Sequence, residues 1–175
     1  FTEAQSGQAA LTAERLGLLQ KQNDTVGAAL MPILQQGQQL KAAGLTVVPS
    51  VVDASGKGRM AATLADPSLR GRHVADLVAL AVSNGYDGID LDYEGFAFSD
   101  GSSSWAATQP NWTAFVTELA AALHAQGKVL TVTIPPPCST GGTCGPQAGY
   151  WVYNLTGIAP AVDRIRIMAY DYSVH

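Results

Sequence analysis

"DGIDLDYEG", residues 87–95, gathers four acidic side chains within eight positions of a chain in which only 14% of residues are charged. Successive side chains of a β-strand point to opposite faces, so the spacing puts Asp90, Asp92 and Glu94 in one column and Ile89, Leu91 and Tyr93 on the other side. An apolar side of this kind belongs under helices. The flanking sequence supplies them.

Upstream, Asp66 and Pro67 open a helical pattern in which Val74, Leu77, Val78 and Ala81 recur on one face, and Gly85 closes it. Before that, "LMPILQQGQQLKAAG" spaces Leu30, Ile33, Leu34 and Leu40 at helical intervals up to Gly44, and the β-branched "LTVVPSVVD", residues 45–53, reads as a buried strand. Downstream, a helix opening at Pro110 carries Trp112, Phe115, Val116, Leu119 and Leu123 on one face and stops at Gly127. "KVLTVTIP" is the next strand and "DRIRIMAYDY", residues 163–172, the fourth. Residues 1–29 carry only weak periodicity.

Strands alternating with helices, each strand apolar, imply a parallel sheet covered by helices. The strands recur about every 40 residues, and eight such units fit a chain of about 300 residues, the size of a (β/α)8 TIM barrel. The fold class expected is therefore α/β, with residues 1–175 one partial domain holding about half of such a barrel. A doubly wound nucleotide-binding sheet is the alternative, weakened because no Gly-rich phosphate loop joins a strand to a helix.

The net charge of −4 leaves no basic patch to neutralise a polyphosphate, so nucleic acid is not an expected partner. No apolar run reaches the roughly 18 residues that cross a bilayer. The two cysteines, Cys138 and Cys144, lie in "PPPCSTGGTCGPQ" with no companion ligands for a metal. A disulfide is the simplest reading, contributing about 2 kcal/mol and implying a secreted or extracytoplasmic setting. Two free surface thiols are the alternative.

Neighbouring carboxylates in the column lie about 6–7 Å apart along the strand, so their ionisations are coupled. Burial and like charge both favour the protonated form. Glu94, at the carboxyl end of the strand where barrel loops build active sites, is thus placed as a general acid, with Asp92 and Asp90 sharing a proton beneath it. A calcium loop is the competing reading of "DLDYEG", but its twelfth position, counted from Asp90, is Gly101 where a bidentate Glu is needed. A solvated acidic edge is the other bland reading.

"DGIDLDYE" resembles the D-G-x-D-x-D-x-E signature of family 18 glycoside hydrolases, the chitinase-like enzymes, and Met168, Tyr170 and Asp171 in "MAYDYSVH" are similar to the family's M-x-Y-D element. The resemblance implies that these are strands three to six of the barrel, over about residues 45–172, with the first two and last two absent. The family's S-x-G-G element on the third strand has no counterpart beyond Ser50, which leaves the substrate open.

What the resemblance implies chemically is retaining, substrate-assisted hydrolysis beside N-acetylglucosamine, in chitin or peptidoglycan, with no cofactor or metal. Glu94 would protonate the leaving oxygen, Asp92 would hold the acetamido N–H, and Asp90 would share its proton with Asp92. Tyr170 and Asp171 would contact the acetamido group or sugar, and Met168 would line the substrate site. On strand geometry alone, Met168 and Tyr170 read as barrel packing. A catalytically inactive, glycan-binding lectin is the competing class, and retention of all three acids argues against it.

Trp105 and Trp151 fall in segments read as loops on the active face, where each is a candidate to stack on a sugar or simply to cover an apolar loop. Trp112 reads as core. His73 and His124 read as helix residues remote from the acids, and His175 as a possible neighbour of the site. The triplets at Asn23, Asn111 and Asn154 match the glycosylation pattern without further support.

Overall fold

A computed structural model describes residues 35–138, 145 and 147–169. The chain divides into two compact units, Phe1–Leu45 and Thr46–His175. In the first, residues 35–42 are helical and Gly44 ends the turn at φ 78°, a backbone region open to glycine. Leu30, Ile33 and Leu34 lie outside the described residues.

The second unit is built on a four-stranded parallel sheet in sequence order: β1 (Ser50–Val52), β2 (Gly88–Asp92), β3 (Val129–Ile134) and β4 (Arg164–Ile167). Its helices are α1 (Arg59–Ala65), α2 (Pro67–Ser83), α3 (Gly95–Phe98), α4 (Trp105–His124) and α5 (Leu155–Ile158). Parallel strands in chain order with intervening helices are an incomplete (β/α)8 barrel, as the alternating pattern predicted.

Local chemistry explains the boundaries. Asp66 caps α2, its Oδ1 accepting from the backbone N–H of Ser68 at 2.8 Å and of Leu69 at 3.1 Å, while Pro67 occupies the first turn, where no amide donor is needed. Gly85 then turns the chain at φ 67° into β2. In register, Gly88 faces Val129, and a Cβ at Gly88 would collide with the Val129 carbonyl oxygen, so the close strand approach requires glycine there.

Ile89, Leu91, Leu130, Val132 and Ile134 are buried and join Leu77, Ala81, Trp112, Phe115, Leu119 and Leu123 in one core. Each such side chain contributes roughly 1.5–3 kcal/mol on burial. Trp112 is core, as expected, and its Nε1 donates to the Tyr153 carbonyl at 3.1 Å. An ion pair from Arg70 Nη2 to Glu118 Oε1 at 2.9 Å ties α2 to α4, and Arg70 Nη1 also donates to the Leu64 carbonyl at 2.8 Å.

Two expectations change. The strand read over 45–53 is confined to Ser50–Val52 and is an edge: Val52 is 63% exposed, because β1 pairs only with β2 among the described residues. The helix read as opening at Pro110 begins at Trp105, with Pro110 inside it. Tertiary burial overrides the local signal, since Trp105 packs against Tyr150 and Trp151 and its Nε1 donates to the Ala97 carbonyl at 3.1 Å.

Candidate active site

The side of the sheet turned away from the helices carries Ser50 on β1, Asp90 and Asp92 on β2, Thr131 and Thr133 on β3, and Arg164 and Arg166 on β4. β2 ends at Asp92, and Glu94 stands just past it, as the residue preceding α3, with φ −105° and ψ −24°. The acidic column therefore runs off the carboxyl end of the strand. Gly95 follows because a Cβ there would sit 2.7 Å from Asp53 Oδ2, at the end of β1.

Asp90 is 1% exposed and lies opposite Ser50 and Thr131 in register. Its carboxylate accepts from Ser50 Oγ at 2.6 Å, Thr133 Oγ1 at 3.0 Å and Arg166 Nη1 at 2.9 Å. The Arg166 contact makes an ion pair with Asp90 that sequence reading did not anticipate. Asp92 is half-buried, and its Oδ1 has no hydrogen-bond partner among the described residues. Burial first, and then the charge on Asp90, push the Asp92 carboxyl above its ordinary range.

Glu94 is half-buried, and its peptide is held from the helix side. The Tyr153 hydroxyl donates to the Tyr93 carbonyl, the oxygen of the Tyr93–Glu94 peptide, at 2.7 Å. The Tyr93 hydroxyl lies 2.7 Å from His73 Nε2, and the rings of His73, Tyr93 and Phe115 pack on one another, with centroids 5.4–6.0 Å apart. Burial lowers the His73 pKa and raises that of Tyr93, so a neutral imidazole and a neutral phenol share this hydrogen bond. His73 was read as remote from the acidic segment, but α2 packs over it and brings the ring onto Tyr93. His124 bonds Asp163 Oδ2 at 2.8 Å, a contact between the end of α4 and the start of β4.

Trp105 is 7% exposed within α4 rather than in a loop, while Trp151 is half-buried in the turn Trp151–Tyr153. Trp151, Tyr150, Pro135 and Cys138 line a cavity of about 700 Å³ beyond the end of β3. Met168 is half-buried and extends the β4 pairing through its N–H to the Ile134 carbonyl at 3.0 Å. Tyr170, Asp171, Cys144 and His175 lie outside the described residues. Asn154 donates its side-chain amide to Thr113 Oγ1 at 2.8 Å, which engages the nitrogen that a glycan would need.

Arg166, Thr133 and Tyr153 were not singled out from sequence. For Arg166 a signal existed: it shares strand parity with Met168, on the same side as the acids. Among the described residues no group of three or more His, Cys, Asp or Glu is arranged to hold a metal ion, and no helix is long and apolar enough to cross a membrane.

Solved structures similar to this chain include chitinases. A class V chitinase from Pseudomonas fluorescens Pf-5 is 30% identical, with 78% of this chain and 38% of that chain covered and a TM-score of 0.61. A chitinase from Chromobacterium violaceum ATCC 12472 is 25% identical, with 81% and 42% covered and a TM-score of 0.63. A variant of Group II chitinase catalytic domain 2 from Ostrinia furnacalis, in complex with penta-N-acetylchitooctaose (NAG)5, shares the fold at 22% identity, with 77% and 34% covered and a TM-score of 0.61. This chain thus spans well under half of the length of each. No curated protein matches. The sequence pattern of Glycosyl hydrolases family 18 matches residues 12–174, and with the acidic column at the end of β2 this places the chain in that family.

Proposed function

We propose that this chain carries the acid/base half of a glycosidase that hydrolyses β-1,4 bonds beside N-acetylglucosamine, in chitin or peptidoglycan, with retention and through the substrate's own acetamido group. The observation that carries the reading is the acid pair at the carboxyl end of β2: Asp92 ends the strand with an Oδ1 that is buried and unpartnered among the described residues, and Glu94 stands two residues beyond it. Glu94 protonates the leaving glycosidic oxygen, and the acetamido oxygen attacks the anomeric carbon to give an oxazolinium. Water opens that ring with Glu94 now acting as base.

Asp92 accepts from the acetamido N–H and stabilises the positive charge that develops there, the role its unpartnered oxygen fits. Asp90 supports Asp92 from below. Tyr170 and Asp171 belong to the same reading as contacts to the acetamido group, Met168 as part of the substrate wall, and Trp151 as a stacking surface. Trp105, buried against Trp151, backs that surface. The partner is an N-acetylglucosamine polysaccharide or oligosaccharide, and the chemistry calls for no cofactor.

A disulfide between Cys138 and Cys144, and with it an extracytoplasmic location, belongs to the same proposal, supported by the finding that no described cysteine is free. The test is Glu94→Gln in the intact protein, assayed on a chromogenic chito-oligosaccharide. Turnover should fall by about 10²- to 10⁴-fold with binding retained, and undiminished turnover would end the reading.

A further inference from the structure

We infer that His73 is a positioning residue for Glu94: its hydrogen bond to the Tyr93 hydroxyl lets helix α2 fix the segment that carries the general acid. This rests on the reading of Glu94 given above. It assigns a role to a half-buried imidazole on the helix side of the sheet, away from the face that carries Asp90 and Asp92.

The register pairing of β2 ends at Asp92 toward β1 and at Leu91 toward β3, so Tyr93 and Glu94 stand beyond it. Side-chain contacts then carry their placement. Tyr93 is 1% exposed and is gripped at both ends: its hydroxyl lies 2.7 Å from His73 Nε2 on α2, and its carbonyl accepts from the Tyr153 hydroxyl at 2.7 Å. A ring held only by stacking can slide in its own plane. A directional hydrogen bond at its tip removes that freedom, and the Tyr93–Glu94 peptide at the other end inherits the restraint. From β1, Asp53 closes on the same segment, since a Cβ at Gly95 would sit 2.7 Å from its Oδ2.

His73 suits this task by shape and by charge. The three rings lie near parallel, at 28° between His73 and Tyr93, 17° between His73 and Phe115 and 11° between Tyr93 and Phe115, so packing holds the imidazole where it meets the hydroxyl. Burial lowers the His73 pKa against the opposing pull of Asp76 on α2 and Asp53 at the end of β1. The ring is therefore neutral at pH 7 and adds no charge behind Glu94. Its effect on the acid is geometric. A misplacement of about 1 Å at a reacting group costs about 10²-fold in rate, so partial loss of this restraint is worth about tenfold.

The experiment measures kcat and KM on a chromogenic chito-oligosaccharide, together with amide hydrogen exchange, in the intact protein and in His73→Phe, His73→Gln, Tyr93→Phe and the double Phe variant. Phe at position 73 keeps a stacked ring and deletes the hydrogen bond, whereas Gln keeps a hydrogen-bonding partner. His73→Phe and Tyr93→Phe should each lower kcat by about tenfold with KM unchanged, and the double variant should be no worse than either, because both remove one bond. His73→Gln should recover most of the loss. Exchange over residues 94–98 should quicken by about tenfold in His73→Phe while β3 keeps its wild-type rates. Unchanged kcat in His73→Phe, additive losses in the double variant, no recovery with Gln, or faster exchange spread evenly over the sheet overturns the inference. If His73→Phe fails to fold, Tyr93→Phe decides by the same readouts, since it removes the same bond from the other side. Absence of turnover in the wild type would sink the proposed function, and the exchange pattern would then decide this inference alone.

Discussion

Replacing Tyr153 by Phe isolates the support given to the general acid, because it deletes one oxygen and leaves the ring. In the structure that hydroxyl donates to the Tyr93 carbonyl at 2.7 Å in a buried environment, and the ring makes an edge contact with Trp112 at a centroid distance of 5.6 Å. Phe keeps the ring contact. What it removes is a side-chain donor to the carbonyl next to Glu94, and a buried acceptor left without its partner costs about 1–3 kcal/mol. For a urea slope of about 2 kcal/mol per molar, the unfolding midpoint falls by about 1 M with the slope unchanged.

The same peptide carries Glu94, so kcat on a chito-oligosaccharide should fall by about tenfold with little change in KM, the pattern of an interaction felt in the transition state. Denaturant melts monitored by tryptophan fluorescence, with Tyr150→Phe at a half-buried neighbour as control, provide the measurement. An unchanged midpoint together with unchanged kcat would refute the claim that Tyr153 holds the acid segment. A lowered midpoint with unchanged kcat would confine its role to stability.

Burial lowers the His73 pKa, so its contribution to stability is present above the unfolded value of about 6.5 and is lost as pH falls through that value toward the folded one. His73→Gln, which keeps a hydrogen-bonding partner for the Tyr93 hydroxyl, should flatten that acid-side loss in pH-dependent melts; an unaltered slope would show that the loss arises elsewhere. Tyr153, raised mainly by burial, has the opposite sense: stability is intact below about pH 10 and declines above it, which an alkaline spectrophotometric titration against unfolding would register. Gly88→Ala drives a Cβ into the Val129 carbonyl and should cost more than about 3 kcal/mol, read as loss of soluble protein or a large drop in Tm, whereas wild-type behaviour would discount the close approach. The 175-residue chain by itself, with Val52 63% and Ile167 48% exposed on its two edge strands, should self-associate in light scattering, and a monodisperse monomer would contradict this.

The residues alone determined the α/β architecture, the strand order, the two long helices and the acidic column, because these depend on short-range periodicity: two residues per repeat in β2, three to four in α2 and α4, with Asp66 and Gly85 as punctuation. They determined family membership too, since the spacing of Asp90, Asp92 and Glu94 is a property of one strand. Helix α4 was misplaced at its start because Trp105 is held by Tyr150 and Trp151, some 45 residues away in the chain. Only the tertiary structure decided who stands beside whom in the column. Arg166 lies 76 residues from Asp90, Tyr153 lies 60 from Tyr93, and His73 comes to Tyr93 from a helix on the opposite layer. Strand register and helix packing create those contacts, and a buried carboxylate's charge is set by its neighbours in space rather than by its neighbours in sequence.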